Sequence, residues 1–327
     1  MNLPRGIQLL VGSLFAAAAT LFVALAIFRL SAGTVPTAVA LASAAVTGSV
    51  AVDAGRREFR DAFFGETVPA ARLTRSDAAD ALAVAVAGPV TYVIATTLGQ
   101  GPVVASALVG LVAALVLDEQ AAAAYCGSFV GMVSTAVFPT LAPVSVASLA
   151  AAAVFVGSKR VFNGFGGKLG TTAFVGCAAV VLPTGYSYAS ASALAASAAV
   201  AAVVAATVGA VAAFLLSVRG DYGAVVGSAV VGLVVGVLAP PALGASLGAT
   251  VAAAAFAGSF VGMVSETRLP AVWLVAVAGL ASGVVFVGVA PFVGGSGGKL
   301  GTIAFTACSV TWALHATLDA PRTVGED

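Results

Sequence analysis

The sequence predicts an all-α polytopic membrane protein of about twelve membrane segments: two N-terminal helices, then an inverted five-plus-five helix repeat with broken or re-entrant helices. Three observations predict it. The first is composition. Hydrophobic residues make up 61% of the 327 and charged residues 8%, and mean hydropathy is +1.11. An ordinary soluble domain carries about 25% charged residues, so this chain has too little polar surface to coat a soluble globule. Its apolar runs do not alternate, which disfavours a transmembrane β-barrel.

The second observation is a duplication. Gly127 to Ser134 reads GSFVGMVS, and Gly258 to Ser265 reads the same. Gly166 to Thr171 reads GGKLGT, and so does Gly297 to Thr302. Both pairs are separated by 131 residues, and Pro139/Pro270, Phe174/Phe305 and Cys177/Cys308 share that step. Two motifs with a preserved spacing predict two copies of one structural unit.

The third observation is where the basic residues fall. Loops on the cytoplasmic side are enriched in Arg and Lys. With Arg5 inside, the five-Arg stretch after the second span, Lys159-Arg160, Arg219, Arg268 and Arg322 also fall inside. The outside loops, Gly99–Pro102, Thr140–Pro143, Pro183–Ala189, Ala239–Leu243 and Ala290–Gly298, contain no Lys or Arg. Arg29 alone lies on the wrong side. Five runs per copy is an odd number, so the copies enter the membrane from opposite faces.

The elements follow in order. Residues 1–52 hold two spans, Ile7–Phe28 and Thr34–Val52. The first is too long for a signal-peptide core of about 7–15 residues. Residues 53–80 form a cytoplasmic linker with interleaved charges, in which Phe59, Phe63 and Phe64 share one helical face and suit an amphipathic interfacial helix. Repeat one, residues 81–187, has runs at Ala81–Leu98, Val103–Leu117, Ala121–Phe138, Val144–Gly157 and Leu169–Leu182. Repeat two, residues 188–318, has runs within Ser190–Ser217 and at Ala224–Leu238, Ala245–Val264, Ala271–Val289 and Leu300–Leu318, and residues 319–327 form a cytoplasmic tail. Ser106-Ala-Leu-Val-Gly110 matches Ser228-Ala-Val-Val-Gly232 at a step of 122, which places extra residues of repeat two around Pro240-Pro241.

Inverted repeats bring matching segments together near the bilayer midplane, and short, glycine-interrupted segments in matching positions point to a binding site. The run after GGKLGT in repeat one is only about 14 residues, against about 20 for a full crossing. The candidate substrate-binding residues are therefore Lys168 and Lys299, Thr171 and Thr302, and Gly166, Gly167, Gly297 and Gly298. Lysine, unpaired amides at a helix start and a hydroxyl suit an anionic or carbonyl-bearing solute. The alternative for either lysine is to snorkel to the headgroups at a helix end. Ser128, Ser134, Ser259 and Ser265 complete the set as hydroxyls from the octapeptides. The glycines four apart in those octapeptides also suit close helix packing.

These residues point to a transporter or channel for a small anionic or polar solute in the cell membrane, multi-pass, with both termini cytoplasmic. The alternatives are a non-transporting scaffold or assembly subunit, and an intramembrane enzyme using Ser128 or Ser259 with His315, the only histidine. An enzyme is not the favoured reading, because a single histidine gives little for acid–base or serine–histidine chemistry, and the absence of a Walker-type loop disfavours primary active transport. No metal or cofactor is implied, since the membrane runs hold almost no acids and Cys126, Cys177 and Cys308 lie in apolar runs as packing residues. Net charge of +1 gives no nucleic-acid footprint. The expected partners are the small solute and the lipid bilayer, with a homo-oligomer compatible. The five-plus-five layout is similar to that of urea transporters, a likeness of layout that assigns no substrate.

Overall fold

The computed structural model describes residues 5–34 and 73–318. The second predicted span beyond Thr34, the Phe59, Phe63 and Phe64 face and the tail 319–327 lie outside the described residues. Among the described residues the regular structure is helical, with no strand and one isolated antiparallel bridge between Ala189 and Gly294.

Helix α1 is Arg5–Thr34. The first copy of the motifs lies in α2 (Arg75–Thr96), α3 (Pro102–Val116), α4 (Ala121–Gly131), α5 (Leu141–Gly157) and α6 (Lys168–Val181). The second lies in α7 (Ala196–Phe214), α8 (Ala224–Leu243), α9 (Ala245–Val261), α10 (Val272–Val289) and α11 (Lys299–Leu318). Among the described residues, five stretches are long and apolar enough to cross a membrane: Gly6–Arg29, Arg75–Thr96, Ala196–Arg219, Ala224–Leu243 and Val272–Val289. The chain is thus all-helical in its described parts, with the span-length apolar helices of a membrane protein.

The boundaries of four helices differ from the sequence expectation, each for a local reason. Helix α2 starts at Arg75, inside the expected linker, because Thr74 and Asp77 form a capping box that satisfies the first free amides. Asp77 also pairs with Lys159 at the end of α5. Helix α8 runs on through Pro240 and Pro241 to Leu243, where a loop was expected. The break comes at Gly244, whose φ of 83° is open to glycine and costly for other residues. Helices α4 and α9 stop at Gly131 and Val261, before their octapeptides end. The Ser134 amide instead donates to Gly295 O at 2.9 Å, and the Ser265 amide to Gly164 O at 2.9 Å.

Packing follows the small residues. A methyl group at Gly127 would collide with Val84 O, and one at Gly131 with Gly88 O, so α4 lies directly on the α2 backbone. Gly258 and Gly262 press on Ala206 O and Ala210 O in the same way, seating α9 on α7. This is the small-residue packing expected of the octapeptides. The two halves meet where α3 packs on α8 and α6 on α11. Helix α1 braces α10, α11 and α6: Phe15 stacks on Phe162 at 6.2 Å, and Phe22 meets Phe174 edge-on at 5.3 Å.

Candidate functional site: two cavities and an aromatic partition

The GGKLGT segments form two elbows with the same backbone. Phe162 and Val293, Gly164 and Gly295, and Gly167 and Gly298 all take positive φ, in matched pairs. Non-glycine residues with positive φ are uncommon, so the agreement at Phe162 and Val293 marks a conformation held by its surroundings. The elbows touch each other. A side chain on Gly170 would enter the Gly301 backbone, and one on Gly301 would enter that of Gly170. Gly167 faces the α11 backbone at Gly301 and Phe305, and Gly298 faces the α6 backbone at Gly170 and Phe174. Each elbow also lies on the octapeptide of the other copy: Gly166 against Phe260 O and Val261 O, Gly297 against Phe129 O and Val130 O. Every contact has a reciprocal partner.

The candidate residues separate into three groups. Gly167, Lys168, Gly298 and Lys299 line cavities. Gly166, Gly297, Thr171 and Thr302 serve the elbows, the two threonine hydroxyls donating to Gly167 O and Gly298 O at 3.2 and 3.3 Å. The four serines line neither cavity. Ser128 donates to Tyr125 O and pairs with Ser106, Ser259 donates to Phe256 O and pairs with Ser228, and Ser265 pairs with Thr267. The Ser134 hydroxyl accepts from the Ala136 amide.

Neither lysine extends away from its elbow. Lys299 Nζ donates to Phe292 O at 2.6 Å, Val289 O at 2.9 Å and Ala290 O at 3.4 Å. Lys168 Nζ donates to Asn163 Oδ1 at 2.6 Å and Ser158 O at 2.8 Å. Both ammonium groups thus hold carbonyls at the end of the preceding helix, where the last turn leaves acceptors unpaired. The snorkelling expectation is replaced by a fold-back that keeps the charge beside the elbow. Among the described residues, the amides of Leu169, Gly170, Leu300 and Gly301 have no acceptor. Each elbow therefore presents a lysine charge and unpaired amides on the same side.

Two cavities adjoin the elbows. One, of about 350 Å³, is lined by Lys168, Leu169, Gly170, Asn163 and Met263, and reaches the surface at the exposed Lys159. The other, of about 170 Å³, is lined by Lys299, Leu300, Gly301, Ser296 and Met132, and reaches the surface at the exposed Pro102. Equivalent positions of the two copies line both, and two residues are common to both: Phe129 and Phe260. Their ring centroids are 4.6 Å apart and each residue is 1% exposed. Tyr125 and Phe256, one turn earlier, each sit 4.4 Å from the neighbouring ring and complete a buried tetrad. The tetrad fills the space between α4 and α9, whose backbones do not touch. Gly110 and Gly232 make room for Tyr125 and Phe256 from behind.

The octapeptides were read for their small residues and hydroxyls, and the phenylalanine between them was missed. Its place in a repeated motif, next to glycines, was the available signal.

A buried hydroxyl chain fixes one difference between the copies. Ser259 spends its proton on Phe256 O, so Ser228 donates to Ser259 and Tyr125 donates to Ser228, at 2.8 and 3.0 Å. Phe256, the counterpart of Tyr125, has no hydroxyl to offer Ser106. Tyr125→Phe is expected to lower stability by about 1 kcal/mol, the net worth of one hydrogen bond, without moving the rings. Thermal unfolding in detergent measures it; a loss above about 3 kcal/mol would mean that the hydroxyl does more than close this chain.

No known family, no curated protein and no solved structure matches this chain, so the site is read from its own geometry.

Proposed function

We propose that the chain is a transporter or channel for a small anionic or polar solute, with its site near the bilayer midplane between two inverted repeats. The two-cavity arrangement carries this reading: two recesses, built from equivalent residues of the two copies, approach the same pair of rings from different sides. The lysine ammonium and the unpaired amides at each elbow favour a negative charge or a carbonyl oxygen in either recess. A monovalent cation would meet a lysine in both, with the Asp80 carboxylate also on the wall of the larger recess. The reciprocal elbow contacts support a two-fold relation between the copies. Together with the basic loops, they support a multi-pass protein of about twelve segments with both termini cytoplasmic.

The orientation of the repeats has a direct test. Ala136 and Thr267 occupy equivalent exposed positions after the two octapeptides, and the three native cysteines are buried. Ala136→Cys should react with an impermeant thiol reagent from outside the cell, and Thr267→Cys from inside only. Labelling of both from one side would overturn the inverted repeat. For transport itself, proteoliposomes of the purified chain are expected to pass formate or urea faster than empty liposomes; equal rates for every small anion and polar solute tried would remove the function.

One observation favours a second reading, a membrane scaffold that transports nothing. The lysine head groups hold backbone carbonyls, which a purely structural elbow also requires. The flux measurement separates the two.

A further inference from the structure

The rings of the buried tetrad are arranged alike in the two copies. We propose that Phe129 and Phe260 form the constriction of the pathway, and that their rings set the largest solute that passes without its hydration shell. This rests on the transport reading above. It also makes a claim of its own, that the barrier between the two cavities is these two side chains.

Three observations carry it. First, among the described residues Phe129 and Phe260 are the two that line both cavities, so this ring pair is shared by the two walls. Second, the backbones on either side are held. Gly127 and Gly131 lock α4 onto α2, Gly258 and Gly262 lock α9 onto α7, and Gly170 and Gly301 lock the elbows together. A glycine-mediated backbone contact has no side chain that can yield, so α4 and α9 do not separate without carrying α2 and α7 with them. Rotation of the rings is the smaller movement. Third, the cavities are small. At roughly 30 Å³ per water, 170 Å³ holds about six waters and 350 Å³ about twelve. A solute with a full hydration shell does not fit the smaller one.

The chemistry at the ring pair follows from the quadrupole of an aromatic ring, whose edge is positive and whose face is negative. The two rings are inclined at 50°, so they present neither a flat sandwich nor a polar bridge to an entering solute. Water bound to the solute finds no hydrogen-bond partner there and is left behind. Replacement ligands lie on the near and far sides, at the unpaired amides of Leu169 and Gly170 and of Leu300 and Gly301. The solute class is therefore a compact anion or amide-sized polar molecule that exchanges water for backbone amides on each side of an apolar step.

The test is a size series in proteoliposomes, followed by stopped-flow light scattering with water, formamide, formate, urea, glycerol and erythritol. Wild-type protein is expected to show a cut-off within the series. The double variant Phe129→Ala, Phe260→Ala is expected to move the cut-off to a larger solute and to speed the first excluded one by about tenfold or more. Phe22→Leu, an aromatic contact of α1 that lines neither cavity, controls for general loosening and should keep the wild-type cut-off. Monodispersity in detergent establishes that each variant is folded. If the double variant misfolds, the single variants Phe129→Leu and Phe260→Leu, which keep most of the volume, should each shift the cut-off in the same direction. If a folded double variant keeps the wild-type cut-off while wild type passes solute, the constriction is wrong and the transport reading stands. If wild type passes nothing and the double variant leaks, the rings are the barrier and the transport reading fails. If both are as tight as empty liposomes, both ideas fail.

Discussion

Gly170→Val is expected to cost at least about 3 kcal/mol and to leave little monodisperse protein in detergent, the largest loss among the substitutions considered. The added side chain would enter the Gly301 backbone, where no rotamer change relieves the clash. Overpacking a core of flexible side chains costs about 1–3 kcal/mol because neighbours shift. Here the neighbour is a main chain already held at Gly298 by positive φ and on its far side by the Phe129 and Val130 carbonyls. The reciprocal change, Gly301→Val, should be as damaging, because the contact is the same one seen from the other elbow. Gly185→Ala provides the contrast: nothing lies within 4 Å of the position, and its effect should stay within about 0.5 kcal/mol. Thermal melts of the three variants decide it. A stable Gly170→Val protein would mean that the elbows do not rest on each other.

Lys299→Met is the second large effect expected, at about 2–4 kcal/mol, with Lys168→Met smaller. A hydrogen bond to a charged group contributes about 1.5–3 kcal/mol, and removing the donor leaves partly buried carbonyls unpaired. Lys299 serves three carbonyls, at Val289, Ala290 and Phe292. Lys168 serves the Ser158 carbonyl and the Asn163 amide oxygen, and Asn163 is exposed, so water replaces part of what is lost. Unfolding of the two variants in the same detergent gives the order. Flux per folded molecule then separates the structural from the transport role. Loss of flux in folded Lys168→Met supports a charge that attracts the solute; unchanged flux in both variants leaves the lysines as clamps alone.

Much of the architecture was readable because membrane helices advertise themselves. Runs of apolar residues separated by Gly, Pro and charge placed most of the helices within a few residues. The exceptions arose where a local device outweighs hydropathy. The Thr74–Asp77 capping box pulls α2 into the linker, and α8 continues through Pro240-Pro241 until Gly244 turns the chain. The elbows were also legible, since paired GGKLGT blocks at a fixed spacing demand an explanation. What each residue of those blocks touches was not. Thr171, Thr302, Ser128 and Ser259 look like ligands in a one-dimensional pattern, yet each hydroxyl is used by a backbone carbonyl of its own helix.

By itself the sequence determined a helical chain with span-length apolar runs, two motifs that each occur twice, and the glycine-rich breaks beside them. Composition, spacing and loop charge are local or additive properties, and they survive without knowing which segments meet. Only the tertiary structure decided that the elbow of one copy lies on the octapeptide of the other, that the lysines fold back onto carbonyls, and that two phenylalanines stand between two cavities. Those facts depend on contacts between residues more than a hundred positions apart, such as Phe129 with Phe260, and hydrophobicity makes no distinction between a ring that fills a core and one that closes a passage.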